Sequence, residues 1–206
     1  MLKDIFTNLV LQYTSQTEMA EELWLEIETE YSGPNRHYHT LYHLSDMIDE
    51  LKIVKSEIRD WDAIMFAVYY HDIVYNGVSS DNEQKSSILA AHRLQQIRFP
   101  AESIGLSKYH ILSTDGHSIA ENDDTNLFMD ADLSILGKDW DVYLTYAQNI
   151  RKEFATYPDA IFNQGRIHVL KHFLKKNDIF KTEYFYNRYE KQARKNLSEE
   201  IRLLNA

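Results

Sequence analysis

The chain contains no cysteine. It can hold no disulfide, and no metal site in it can use thiolate. Any metal must sit on histidine, aspartate and glutamate, donors that suit Mg, Mn, Fe, Co, Ni or a histidine–carboxylate Zn site. Glycine and proline are scarce, six and three among 206 residues, which argues against a turn-rich β architecture. No apolar run reaches the roughly 18 residues of a membrane span. The opening residues Met1 to Phe6 lack a signal-peptide pattern, so a cytoplasmic protein with no membrane partner is expected. Positive charge is outnumbered, with 22 Lys and Arg against 32 Asp and Glu for a net charge of −10. An acidic surface repels a phosphate backbone, so no nucleic-acid polymer is expected as a partner. Basic residues gather toward the C-terminal part of the chain, and a small phosphate ester needs only one or two of them.

Helical periodicity is present almost throughout. Leu2, Ile5, Phe6, Leu9, Val10 and Tyr13 form one apolar stripe, and Met19, Leu23, Ile27 and Tyr31 form another. Trp61, Ile64, Met65, Val68 and Tyr69 repeat at helical spacing, as do Ile88, Ala91 and Leu94, and Val142, Tyr143, Tyr146, Ile150 and Phe154. Gly33-Pro34, Arg98-Phe99-Pro100 and Tyr157-Pro158 punctuate these segments. Asn76-Gly77 is read as ending the helix that carries His71, with Ser80-Asp81 capping the next and Glu83 in its first turn. With no linker, repeat or low-complexity stretch, the reading is all-α: one helical domain over residues 1–206.

The polar residues that carry chemistry fall in three places. The first is the run Arg36-His37-Tyr38-His39-Thr40-Leu41-Tyr42-His43. If it lies in a helix, His39 and His43 share a face, roughly 6 Å apart along the axis. Two such imidazoles can converge on one ion, or can be ordinary surface residues. The second is His71-Asp72, inside the apolar stretch Ala67 to Tyr75. A buried carboxylate costs several kcal/mol unless a cation or partner meets it, so either a metal or a His–Asp hydrogen-bonded pair fits. The third is Asp130-Ala131-Asp132-Leu133-Ser134. A regular helix cannot point both aspartates the same way, and Asp130 reads as an N-terminal helix cap.

Taken together, His-x3-His, His-Asp and a distant Asp resemble the HD superfamily of metal-dependent phosphohydrolases. Tyr38-His39-Thr40-Leu41-Tyr42-His43 and Ala131-Asp132-Leu133-Ser134 are similar to segments of its cyclic-nucleotide phosphodiesterase branch. The chain from about residue 30 to 197 looks like a bacterial family of predicted HD phosphohydrolases of about this length. The likeness rests on Arg36 to His39, Phe66 to Tyr75, Asn82-Glu83, Asp132 to Gly137 and Gly165-Arg166. The resemblance implies an HD-type helical bundle and one or two divalent ions held by His43, His71, Asp72 and Asp132. It implies His39 as the group that protonates the leaving oxygen. Ser113-Thr114-Asp115-Gly116-His117 resembles another stretch of that branch, one residue short, which offers His110 and His117 as second-metal or substrate ligands. The asparagine that follows the first histidine in that branch is Thr40 here, and no purine-clamping glutamine segment is evident, so cyclic nucleotides are not the expected substrate.

The expected activity is hydrolysis of a phosphate ester of a small metabolite, a nucleotide being the favoured class. Asp72 would orient the water or bridge to a second ion, and Glu83 would take a proton or serve only as a first-turn acid. Arg36 could bind phosphate through its fork or lie in an exposed loop. Arg166 could do likewise or form a structural salt bridge. Tyr184, Phe185, Tyr186 and Tyr189 are read as packing the last helix, with a homodimer contact as a further use. Two other readings keep the same pocket: an HD-fold di-iron oxygenase, and a non-catalytic nucleotide-binding regulatory module.

Overall fold

A computed structural model of the protein describes residues 2–77 and 81–205. Ten α-helices and two short 3-10 turns make up the architecture, and no strand is present among the described residues. The all-helical expectation holds. No helix among the described residues is long and apolar enough to cross a membrane.

The chain forms two compact units, Met1–Met129 and Asp130–Ala206. In the first, α1 (Leu2–Val10), α2 (Thr17–Tyr31), α3 (Leu41–Ile53), α4 (Trp61–Tyr70), α5 (Asn82–Gln96) and α6 (Ala101–Ser113) follow one another. The helix α7 (Asp123–Leu133) carries the chain across the division at residue 129. Helix α4 is the centre of the first unit. Every residue from Ala63 to Tyr70 is buried, as expected of a helix that is apolar all round. It packs against α3, α5 and α6. Asp60 starts it by accepting the backbone N–H of Ala63 at 3.0 Å, a cap worth about 1 kcal/mol. Asp124 of α7 in turn takes the N–H groups of Arg59 and Asp60. Around α4, Phe6, Phe66, Tyr69 and Phe99 meet edge to face.

Several local readings change. Helix α4 ends at Tyr70, not at Asn76-Gly77, and His71 is its C-terminal cap. The apolar residues Ile73 and Val74 follow the helix as a turn held by α5, whose Ser86 hydroxyl is bonded to both the N–H and the C=O of Val74. Ser80 lies outside the described residues. At the start of α5 the Asp81 side chain makes no capping bond. Asn82 acts there instead, exchanging two hydrogen bonds with the backbone of Asn76 at 3.1 and 3.0 Å. Ile88, placed on an apolar stripe by its spacing, is exposed.

The second unit comprises the end of α7, the 3-10 turn Ser134–Gly137, α8 (Trp140–Glu153), α9 (Asp159–Lys175) and α10 (Glu183–Leu204). Asp130 lies in the second half of α7 and so cannot cap its start. Its buried carboxylate instead accepts the N–H groups of Lys181 and Thr182 and the Thr182 hydroxyl, capping α10 from a distance in sequence. Gly137 lies against the backbone of Tyr189, where an added Cβ would come within 2.5 Å of the Tyr189 Cβ. Only glycine allows α10 to approach the turn this closely. Asn196 of α10 then donates to the carbonyls of Leu136 and Lys138.

Candidate metal centre

The site begins with the end of α4. A helix leaves its last carbonyls without intrahelical partners, and the His71 ring satisfies one of them: Nδ1 lies 2.9 Å from the Val68 carbonyl oxygen. A carbonyl only accepts, so Nδ1 carries the hydrogen. In the neutral ring Nε2 is then a lone pair. The His43 ring, on the first turn of α3, faces it with Nε2 at 3.2 Å from His71 Nε2. Both histidines are almost wholly buried, at 3% and 1% exposure. Asp72 brings Oδ2 to 3.1 Å from His71 Nε2 and 3.7 Å from His39 Nε2. Burial pushes the Asp72 carboxyl up, but the imidazoles of His71, His39 and His43, where protonated, outweigh it and hold the group well below the usual carboxylate range.

His39 precedes α3, whose N-cap is Thr40, so the shared helical face expected of His39 and His43 does not exist. Their rings are nonetheless 5.9 Å apart. The turn from Tyr38 to Thr40 folds back, with Tyr38 packed against both histidines. His39 also lies on the Tyr75 ring, with centroids at 4.3 Å. His39 and Asp72 are each 17% exposed at the side chain. The buried histidine pair is thus flanked by a histidine and a carboxylate that keep partial contact with solvent. His37 is exposed.

The opposite side of His71 is closed by Phe128 of α7, edge to face at 5.9 Å. Asp132 is one helical turn further along α7, past the division at residue 129 and so in the second unit. Within the first unit, the chemistry of His43, His71 and Asp72 suits a divalent cation: two imidazole nitrogens and a carboxylate, with no thiolate. Two donors at about 2.1 Å from one ion in neighbouring positions stand about 3.0–3.4 Å apart. The 3.2 Å and 3.1 Å spacings around His71 Nε2 match that edge.

Other expected site residues are placed differently. His110 of α6 is fully buried. Its Nδ1 meets the Thr125 hydroxyl at 2.8 Å, its ring lies 5.8 Å from Phe128, and its Nε2 has no hydrogen-bond partner. Burial pushes its pKa down to about 4, against the opposing pull of Asp124 and Asp60. His117 is half-buried in the turn after α6, with a left-handed φ of 48°. Glu83 stands half-exposed in the first turn of α5. Arg36 donates to the carbonyl oxygens of His39 and Ile73. Arg166, in the second unit, grips Glu200 with a bidentate ion pair at 2.8 and 3.0 Å.

Sequence reasoning missed Tyr31, Tyr75, Phe128 and Ser86 as parts of the site. Tyr31 ends the buried stripe of α2 and accepts the Asp72 N–H at 3.2 Å. Asn82 and Ser86 carry a readable signal: two small polar residues, i and i+4, on the buried face of α5. Polar groups there must bond to something, and the turn after His71 is that something. No protein-family model matches the chain, and neither a curated protein nor a solved structure matches it.

Proposed function

We propose that the protein is a metal-dependent phosphohydrolase acting on a phosphate ester of a small metabolite, with nucleotides the first class to test. One observation carries the reading. The His71 nitrogen left as a lone pair by the Val68 bond faces a second buried imidazole at 3.2 Å and a carboxylate oxygen at 3.1 Å. A lone pair, a carboxylate oxygen and a second imidazole nitrogen converge where a cation would be stabilising. His43, His71, Asp72 and Asp132 would hold one divalent ion. When bound, such an ion supplies a Lewis acid and lowers the pKa of water.

The remaining chemistry falls to the chain itself. Asp72, ionised and half-exposed, can accept a hydrogen bond from the attacking water and orient it. His39, partly exposed, stands 3.7 Å from Asp72 Oδ2 and can give a proton to a leaving oxygen. A general acid of this kind is worth about 10²–10⁴ in rate. Half-buried Tyr38 and buried Phe128 and Tyr31 wall the donors off and raise the weight of each charge.

The test is phosphate release from a panel of nucleotides and sugar phosphates, by protein stripped with chelator and then reloaded with Mn, Co, Mg, Zn, Ni or Fe. Release that appears only on reloading supports the reading. A protein that takes up metal yet releases no phosphate from any member of the panel would contradict it. Two bound irons with oxygen uptake would replace it with the oxygenase reading.

A further inference from the structure

The geometry points to Arg36 as a positioning residue for the site, rather than a ligand for substrate phosphate; the inference rests on the proposed hydrolase reading. A surface arginine awaiting an anion keeps its fork in water. Arg36 does not: Nη1 donates to the His39 carbonyl oxygen at 3.2 Å and Nη2 to the Ile73 carbonyl oxygen at 2.9 Å. One of these carbonyls belongs to the half-exposed histidine itself and the other to the residue after Asp72. A single planar group therefore joins the two segments that meet at the site, the turn before α3 and the turn after α4.

The faces of the guanidinium are engaged as well. Its carbon lies 4.7 Å from the Tyr31 ring centroid and 5.2 Å from that of Tyr75. Each ring leads back to the site by a second contact. The Tyr31 hydroxyl accepts the Asp72 N–H, and the Tyr75 ring carries the His39 imidazole. Arg36 thus reaches His39 by two routes, through its carbonyl and through Tyr75. It reaches the Asp72 segment by two routes, through Ile73 and through Tyr31.

Lysine cannot replace such a part. An ammonium is a point donor without a flat face, so it cannot bond two carbonyls in one plane while two rings pack on it. Displacing a reacting group by about 1 Å can cost about 10²-fold in rate. Loss of the strut would act on the rate of the chemical step and leave substrate affinity nearly intact.

The experiment compares full-length wild type, Arg36→Lys and Arg36→Ala, each loaded with diamagnetic Zn²⁺, with 4-nitrophenyl phosphate and bis(4-nitrophenyl) phosphate as probes. Metal content and the imidazole ¹H–¹⁵N spectrum are read on the same samples. The expected result is metal retained in all three, kcat reduced about 10²-fold in both variants, and KM within a factor of about two. Added guanidinium ion is expected to restore part of the rate to Arg36→Ala, and methylammonium none. The ring signals of His39 should shift in both variants while those of His110 stay in place. A raised KM with kcat kept, or full recovery in Arg36→Lys, would make Arg36 an anion ligand and overturn the proposal. Should wild type prove inactive on both probes, the spectrum still decides: unchanged His39 signals in the variants overturn it, whatever becomes of the hydrolase reading.

Discussion

Each of the two units contains a buried polar cluster, and the two are built on opposite principles. In the second unit Glu200 receives the Arg166 fork and the Tyr143 hydroxyl, while Arg166 also reaches the Tyr146 hydroxyl and lies over its ring. Donors meet acceptors, and opposite charges cancel. In the first unit the His71 lone pair faces the Asp72 carboxylate at 3.1 Å, beside the His43 imidazole at 3.2 Å. The first arrangement is complete without anything added; the second is stabilised by a cation or a proton. Burial alone does not distinguish a structural cluster from a site, whereas the match of donors to acceptors does.

Breaking the complete cluster is expected to have the largest effect on stability. Arg166→Ala leaves the Glu200 carboxylate buried without its partner, a loss of about 3–5 kcal/mol, to be read from urea unfolding. A change under about 1 kcal/mol would place Arg166 outside the structural cluster. His110 comes next, as a polar group neither in the complete cluster nor among the converging donors. Burial holds its folded pKa near 4 against 6.5 for the free ring. The unfolded chain therefore binds the proton first as pH falls. Stability from this group is full above 6.5 and declines toward 4 by about 1.4 kcal/mol per pH unit, roughly 3 kcal/mol in all. His110→Gln should remove that slope, measured as the difference in unfolding free energy between wild type and variant across the same pH range. An identical slope in the two proteins would show that His110 is not held neutral by the fold.

A smaller effect is expected at Gly137. An alanine methyl there would sit 2.7 Å from the Tyr189 carbonyl oxygen and 2.8 Å from its Cα, so α10 must shift, at about 1–3 kcal/mol. Thermal unfolding of Gly137→Ala checks this; an unchanged Tm would mean that the turn and α10 yield freely. The smallest effect on stability belongs to the converging cluster. In metal-free protein at about pH 8, where free imidazoles are neutral, Asp72→Asn exchanges a carboxylate for an amide that can donate to the His71 lone pair. The unfolding free energy should change by less than about 1 kcal/mol, although metal affinity is lost. A large destabilisation would show that Asp72 serves the fold.

The fold class could be read from the sequence because periodicity reports burial: α4 is buried on every side, and its run of apolar residues has no other use. The end of that helix was less legible. Ile73 and Val74 are apolar and continue the run, yet α5 draws them into a turn through Ser86 and Asn82, contacts that no local pattern shows. The donor residues themselves were visible as a spaced set of His and Asp. Their geometry was not, since His39 meets His43 across a turn and not along a helix. Arg36 was the least legible. Its sequence context suits a phosphate ligand, and only the positions of two carbonyls and two tyrosine rings reveal the strut.

The central claim is that the imidazoles and carboxylate gathered around His71 are a metal site, and elemental analysis tests it most directly. Wild type and Asp72→Asn, both shown to be folded by circular dichroism, would be purified identically, dialysed against a mixture of divalent ions and measured for bound metal. The account predicts near-stoichiometric metal in wild type and little in the variant. Wild type that cannot be loaded with any divalent ion would contradict it, and would leave His43, His71 and Asp72 as a cluster that shares a proton.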